Sequence, residues 1–94
     1  MTPDQNKALV RRYYEEVFNS GDISQLMDFV SPDYTEIYNQ KVDTVGIDGA
    51  RAHVLGVRNT YPDIRLKVNR QIAEGDLVVS EVHMQGLTPA SGWI

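Results

Sequence analysis

Apolar side chains recur at Val10, Tyr13, Tyr14, Val17 and Phe18, three and four residues apart, with Lys7, Arg11, Arg12, Glu15, Glu16 and Asn19 between them. That period predicts an amphipathic helix. Thr2, Pro3 and Gln5 stand where a capping box with a proline at the first helical position would have them, and Gly21 ends the pattern. A second, short helix is expected next, capped by Asp22 with Gln25 three positions on. Its stripe would be Ile23, Leu26, Met27 and Val30, and Pro32 would stop it. The β-branched and aromatic run 34–38 reads as a strand, and 39–45 as polar and irregular. A third helix opens at 46–49, capped by Asp48, with Ala50, Val54 and Val57 facing inward.

The clearest strand follows. Ile64, Leu66, Val68 and Ile72 alternate with Arg65, Lys67, Asn69 and Gln71, a period-two pattern with one buried face. Glu74, Gly75 and Asp76 make a hairpin turn into a partner strand at 77–85. There Val78, Val82 and Met84 share one face; Leu77, Val79, Glu81, His83 and Gln85 share the other. A turn-rich stretch at 86–92 then leads to Trp93 and Ile94, which read as the start of another strand. The expectation is one α+β domain over 1–94, with three N-terminal helices packed on a curved, mainly antiparallel sheet.

Composition narrows the partners. Net charge is −4, with 13 acidic and 9 basic residues, and only Arg11 and Arg12 are adjacent arginines. Nucleic acid and anionic membrane surfaces select clustered cations, so neither is expected as a partner. The chain has no cysteine, and His53 and His83 lie far apart without metal-ligand spacing, so neither metal nor cofactor is expected. The first residues have no signal-peptide pattern and no apolar run reaches membrane-spanning length, which makes the cytoplasm the expected location.

Five phrases in order carry a family resemblance: 12–22 (RYYEEVFNSGD), 31–34 (SPDY), 46–51 (GIDGAR), 61–65 (YPDIR) and 73–79 (AEGDLVV). With the element order, they make the chain resemble the SnoaL-like polyketide cyclases of the nuclear-transport-factor-2-like superfamily. The resemblance implies a cone-shaped domain with a pocket for a small apolar molecule and cyclase- or isomerase-type acid/base chemistry. It also implies an incomplete cone, because two further strands and the family's acid/base aspartate would lie beyond Ile94. Two family histidines are absent as well. Ile37 or Tyr38 stands where one follows the first strand's tyrosine, and Leu87 and Thr88 follow Gly86 where a gly-thr-his phrase would stand.

The candidate chemistry is sparse. Histidine is a residue type able to pass protons at neutral pH, and His83 has Glu81 two positions away on the same strand face, so the pair is the catalytic candidate. The competing reading makes Glu81, His83 and Gln85 a polar outer face or a dimer contact, and it weighs more. His53 reads as a solvated helix histidine, and Arg11–Glu15 and Arg12–Glu16 as ordinary four-spaced ion pairs. Tyr14, Tyr34, Tyr38 and Tyr61 are the ligand-pocket candidates, set against ordinary core packing. Three function classes stay open: an acid/base enzyme, a non-catalytic small-molecule binder and a dimeric scaffold. A homodimer is expected, because strand 77–85 would otherwise be an unpaired edge.

Overall fold

The computed structural model describes residues 1–86, with the backbone alone for residues 43 and 44. The expected turn beyond Gly86 and the strand start at Trp93 and Ile94 lie outside the described residues.

The first helix begins as its sequence requires. Thr2 Oγ1 accepts from the Gln5 N–H at 3.1 Å, and Gln5 Oε1 accepts from the Thr2 N–H at 2.9 Å. Helix α1 (Pro3–Arg12) runs without a break into a π-helical segment, Tyr13–Phe18, and ends at Gly21. Gly21 has φ +73° and donates its N–H to the Val17 carbonyl at 2.8 Å. The Arg58 side chain lies over this position, and the backbone conformation there favours glycine. Arg58 Nη1 then donates to the Phe18 and Asn19 carbonyls at 3.0 and 2.7 Å, satisfying the open end of the helix.

The expected second helix is a single 3₁₀ turn, Leu26–Asp28, so two helices rather than three pack here among the described residues. Asp22 Oδ1 takes the Ser24 N–H at 2.9 Å and Ser20 Oγ takes that of Asp22 at 3.0 Å. Such side-chain turns compete with helix formation, and Gln25 (φ −106°, ψ 18°) already leaves the helical region. Too few residues remain before Pro32 to offset nucleation. Leu26 is fully buried, whereas Met27, expected beside it, is 74% exposed.

Residues 41–45, expected to be irregular, form a strand. Strand β1 (Thr35–Tyr38) pairs antiparallel with β2 (Lys41–Val45) across a two-residue turn in which Asn39 and Gln40 both have positive φ. That turn geometry matches the twist of a tight hairpin. Asp43 is extra to the register, since Glu36 faces Thr44 and Ile37 faces Val42. Helix α2 (Gly46–Thr60) follows directly. Gly46, at φ +72°, donates its N–H to the Tyr34 carbonyl at 2.6 Å, joining the helix start to β1. Asp48 does not cap this helix; it lies in the first turn and pairs with Arg51. Ala50 and Val54 are fully buried, as their spacing predicts.

Strands β3 (Arg65–Glu74) and β4 (Leu77–Gln85) form the second hairpin. Ile64, Leu66 and Val68 are buried, but Ile72 is 73% exposed. The cause is a bulge: Val68 faces Val82 and Arg70 faces Glu81, leaving Asn69 without a partner and reversing the faces beyond it. Met84, expected on the inner face with Val78 and Val82, is also exposed. The outer edge of β3 is closed by the first helix. The Asn19 side chain exchanges two hydrogen bonds with the Leu66 backbone, at 2.7 and 3.0 Å. Glu15 Oε2 accepts from the Val68 N–H at 2.8 Å and Arg11 donates to its carbonyl at 2.9 Å. The expected Arg11–Glu15 pair is present, and its larger task is to cover a strand edge.

The fold is α+β, with all strand pairs antiparallel. The described residues hold two separate two-stranded sheets in place of one curved sheet. Val17, Phe18, Leu26, Ala50, Val54 and Leu66 form the core between the helices and β3. Among the described residues no helix is long and apolar enough to cross a membrane.

Candidate functional site

Tyr34 and Glu36 stand two residues apart at the start of β1, so both side chains turn to the same, inner face. The strand enters α2 through β2 and Gly46, which sets the inner face of β1 against the helix face that carries His53. Glu36 is the meeting point. Tyr34 donates its hydroxyl to Glu36 Oε2 at 2.7 Å, and His53 Nδ1 lies 2.6 Å from Glu36 Oε1. The carboxylate side chain is 21% exposed and the imidazole 33%, so water screens neither fully. The Nδ1–Oε1 contact is close without meeting hydrogen-bond geometry. Phe18 packs edge-on against the imidazole, with ring centres 5.5 Å apart.

The π-helical segment supplies the aromatic wall. Tyr13 stands edge-on to Tyr14 and to Phe18, at 5.8 and 5.4 Å. Its hydroxyl is buried beside that of Tyr34, which gives its own proton to Glu36. Burial, then the negative charge of Glu36, push the Tyr13 hydroxyl up to about 12 and raise that of Tyr14 as well. Tyr34 is also raised, by burial first and then by its bond to Glu36. These tyrosines are therefore neutral donors facing a carboxylate.

Two depressions flank this array. An aromatic cleft of about 190 Å³ is lined by Leu9, Val10, Tyr13, Tyr14, Phe29, Val30 and Tyr34. A wider groove of about 400 Å³ runs along α2 to the end of β4, with His53, Gly56, Val57, Tyr61 and Met84 among its lining. Because Nδ1 is buried against Glu36, the opposite edge of the imidazole is the part that meets the groove. A carboxylate against one ring nitrogen holds the imidazole in place and leaves the other nitrogen turned away from it, able to exchange a proton.

The sequence-derived candidates separate. Tyr14 and Tyr34 do share a cleft, but no residue of α2 lines it. Tyr61 lies on the groove instead, and Tyr38, the last residue of β1, is 69% exposed. His83 and Glu81 are exposed on the outer face of β4, where Glu81 holds Arg70 at 2.7 Å and His83 faces Lys67. The expectation that His53 is a solvated helix histidine is corrected: it is half-buried and paired. Glu36 escaped the sequence reading altogether, although its spacing from Tyr34 carried the signal. If Tyr34 points inward on a strand, so does Glu36. No group of three or more potential metal ligands occurs among the described residues.

The model of one protein family, SnoaL-like polyketide cyclase, matches residues 8–91. No curated protein and no solved structure matches the chain.

Proposed function

The chain belongs to the SnoaL-like polyketide cyclase family, and from that premise we propose that it binds a small, mostly apolar carbonyl compound and moves a proton on it by general acid/base catalysis. One observation carries the reading: His53 is held at 2.6 Å by a Glu36 carboxylate whose other oxygen is bound by Tyr34 at 2.7 Å. In this reading His53 is the proton-transferring group. Glu36 and Tyr34 are positioning residues that keep one nitrogen occupied and the other turned outward.

The test is exchange of deuterium into small cyclic ketones in heavy water, followed by NMR. The protein should accelerate exchange over buffer, and His53→Gln should remove about 10²–10⁴-fold of that rate. Equal rates for the two proteins would leave the site a binder without catalysis.

We also propose that two copies associate through the outer face of β3–β4. The support is physical: Ile72, Leu77 and Val79 are exposed together there, bordered by Arg70 and Glu81, which a two-fold axis would set against their opposites.

A further inference from the structure

We infer that the groove along α2 is where the ligand binds, and that it takes a neutral, largely apolar molecule with one oxygen able to meet the imidazole of His53. The inference rests on the proton-transfer reading above and places its substrate. The groove is a continuous helix face: His53, Gly56, Val57 and Thr60 follow at three, four and seven residues, so they line up along one side of α2. Tyr61 and Met84 close the far end. Among the described lining residues no side chain but His53 can carry charge, and the carboxylate behind it disfavours an anion. A neutral ligand is what such a surface can desolvate at low cost.

Gly56 is the second, independent observation. A glycine in the interior of a helix costs stability relative to alanine, so its presence calls for a packing or functional reason. Among the described residues no atom lies within 4 Å of a Cβ built at Gly56, and its φ is not in the left-handed region. Neither packing nor backbone geometry asks for glycine there. What the missing side chain does is leave the floor of the groove flat, three residues from His53. At about 400 Å³ the groove suits a ligand of one or two rings, since pockets for drug-sized molecules begin near 300 Å³. The exposed Met84 thioether offers an adaptable wall.

The probe is the neutral naphthyl ketone prodan, whose emission moves to the blue when it leaves water. Wild-type protein should give a saturable blue shift. Gly56→Leu fills the floor and should weaken binding at least tenfold. Gly56→Ala should weaken it less while raising Tm by about 4 °C, because the helix gains what the groove loses. A position that only served the fold could not move affinity and stability in opposite directions. Leu9→Trp, in the aromatic cleft, should leave prodan binding unchanged. Equal binding by wild type and Gly56→Leu overturns the groove, as does loss of binding in Leu9→Trp, which would move the ligand to the aromatic cleft. An absence of prodan binding overturns it too. Failure of the proton-transfer reading looks different: prodan still binds in a Gly56-dependent way, and His53→Gln leaves ketone exchange unchanged.

Discussion

The molecule holds two Glu–His pairs, one on each side of its fold. Glu36 and His53 come from different elements, 17 positions apart in the chain, and meet at 2.6 Å behind a ring of aromatic side chains. Glu81 and His83 sit two residues apart on the outer face of β4, both exposed, with the carboxylate taken by Arg70. The chemical groups are the same. What differs is the surrounding medium and the number of groups fixing each one. On the outer face, water screens the charges and an arginine competes for the glutamate, so none of the described residues is seen to orient the histidine. On the inner side, Tyr34, Phe18 and the backbone link between β1 and α2 hold the pair in one arrangement. Proximity along a strand is therefore a weak guide to chemistry, and shared burial across elements is a stronger one.

The comparison breaks most visibly if the two glutamates are neutralised in turn. Glu36→Gln keeps the shape and removes the charge. It should lower ketone exchange by about 10–100-fold, the usual cost of losing a partner behind a functional histidine. The His53 ring signals should also move in NMR while the thermal midpoint at neutral pH stays close to that of the wild type, which a purely structural defect would not give. Glu81→Gln and His83→Ala should leave both readings as they are. Loss of exchange in either outer variant would reverse the assignment of the two sides.

The alkaline limb sharpens the same contrast. Tyr13, Tyr14 and Tyr34 have folded-state values above the ordinary tyrosine value of 10.0. Between that value and the folded-state one, the unfolded chain has released protons that the folded chain still holds. Stability from these groups is therefore complete below pH 10 and lost as pH rises toward about 12, the Tyr13 value. Thermal midpoints should fall across that window. Because Glu36 contributes to the shifts, Glu36→Gln should flatten the fall, and Glu81→Gln should not. A fall of the same steepness in both variants would mean that burial alone sets these tyrosines.

The smallest effect on the fold belongs to the outer face. Val79→Asp replaces an exposed side chain on the surface proposed to join two copies. Monomer stability should stay within about 0.5 kcal/mol, as for surface substitutions generally. Light scattering should nevertheless drop from the dimer mass to that of one 10.6 kDa chain. A wild-type protein that scatters as a 10.6 kDa monomer at all concentrations removes the dimer.

Some of this was legible in the linear sequence because the physics is local. The capping box at Thr2, the glycine at Gly21, the stripe of α1 and the hairpin at Gly75 each depend on residues within a few positions of one another. Ordered phrases likewise identified the family, since a matching series of local signals survives without any long-range information. The tertiary structure decided the rest. The bulge at Asn69 reversed the faces of β3 and turned Ile72 outward, because one extra residue in a period-two pattern moves every later side chain across the sheet. Asp22 spent its carboxylate on a turn that a helix would also have used, which only the competing bond to Ser24 reveals. Arg11, Glu15 and Asn19 read as helix surface until β3 arrived beside them with an open edge. The candidate site belongs to this second kind. Its members lie at 13, 34, 36 and 53, on three elements, and their chemistry comes from distances that chain folding alone creates.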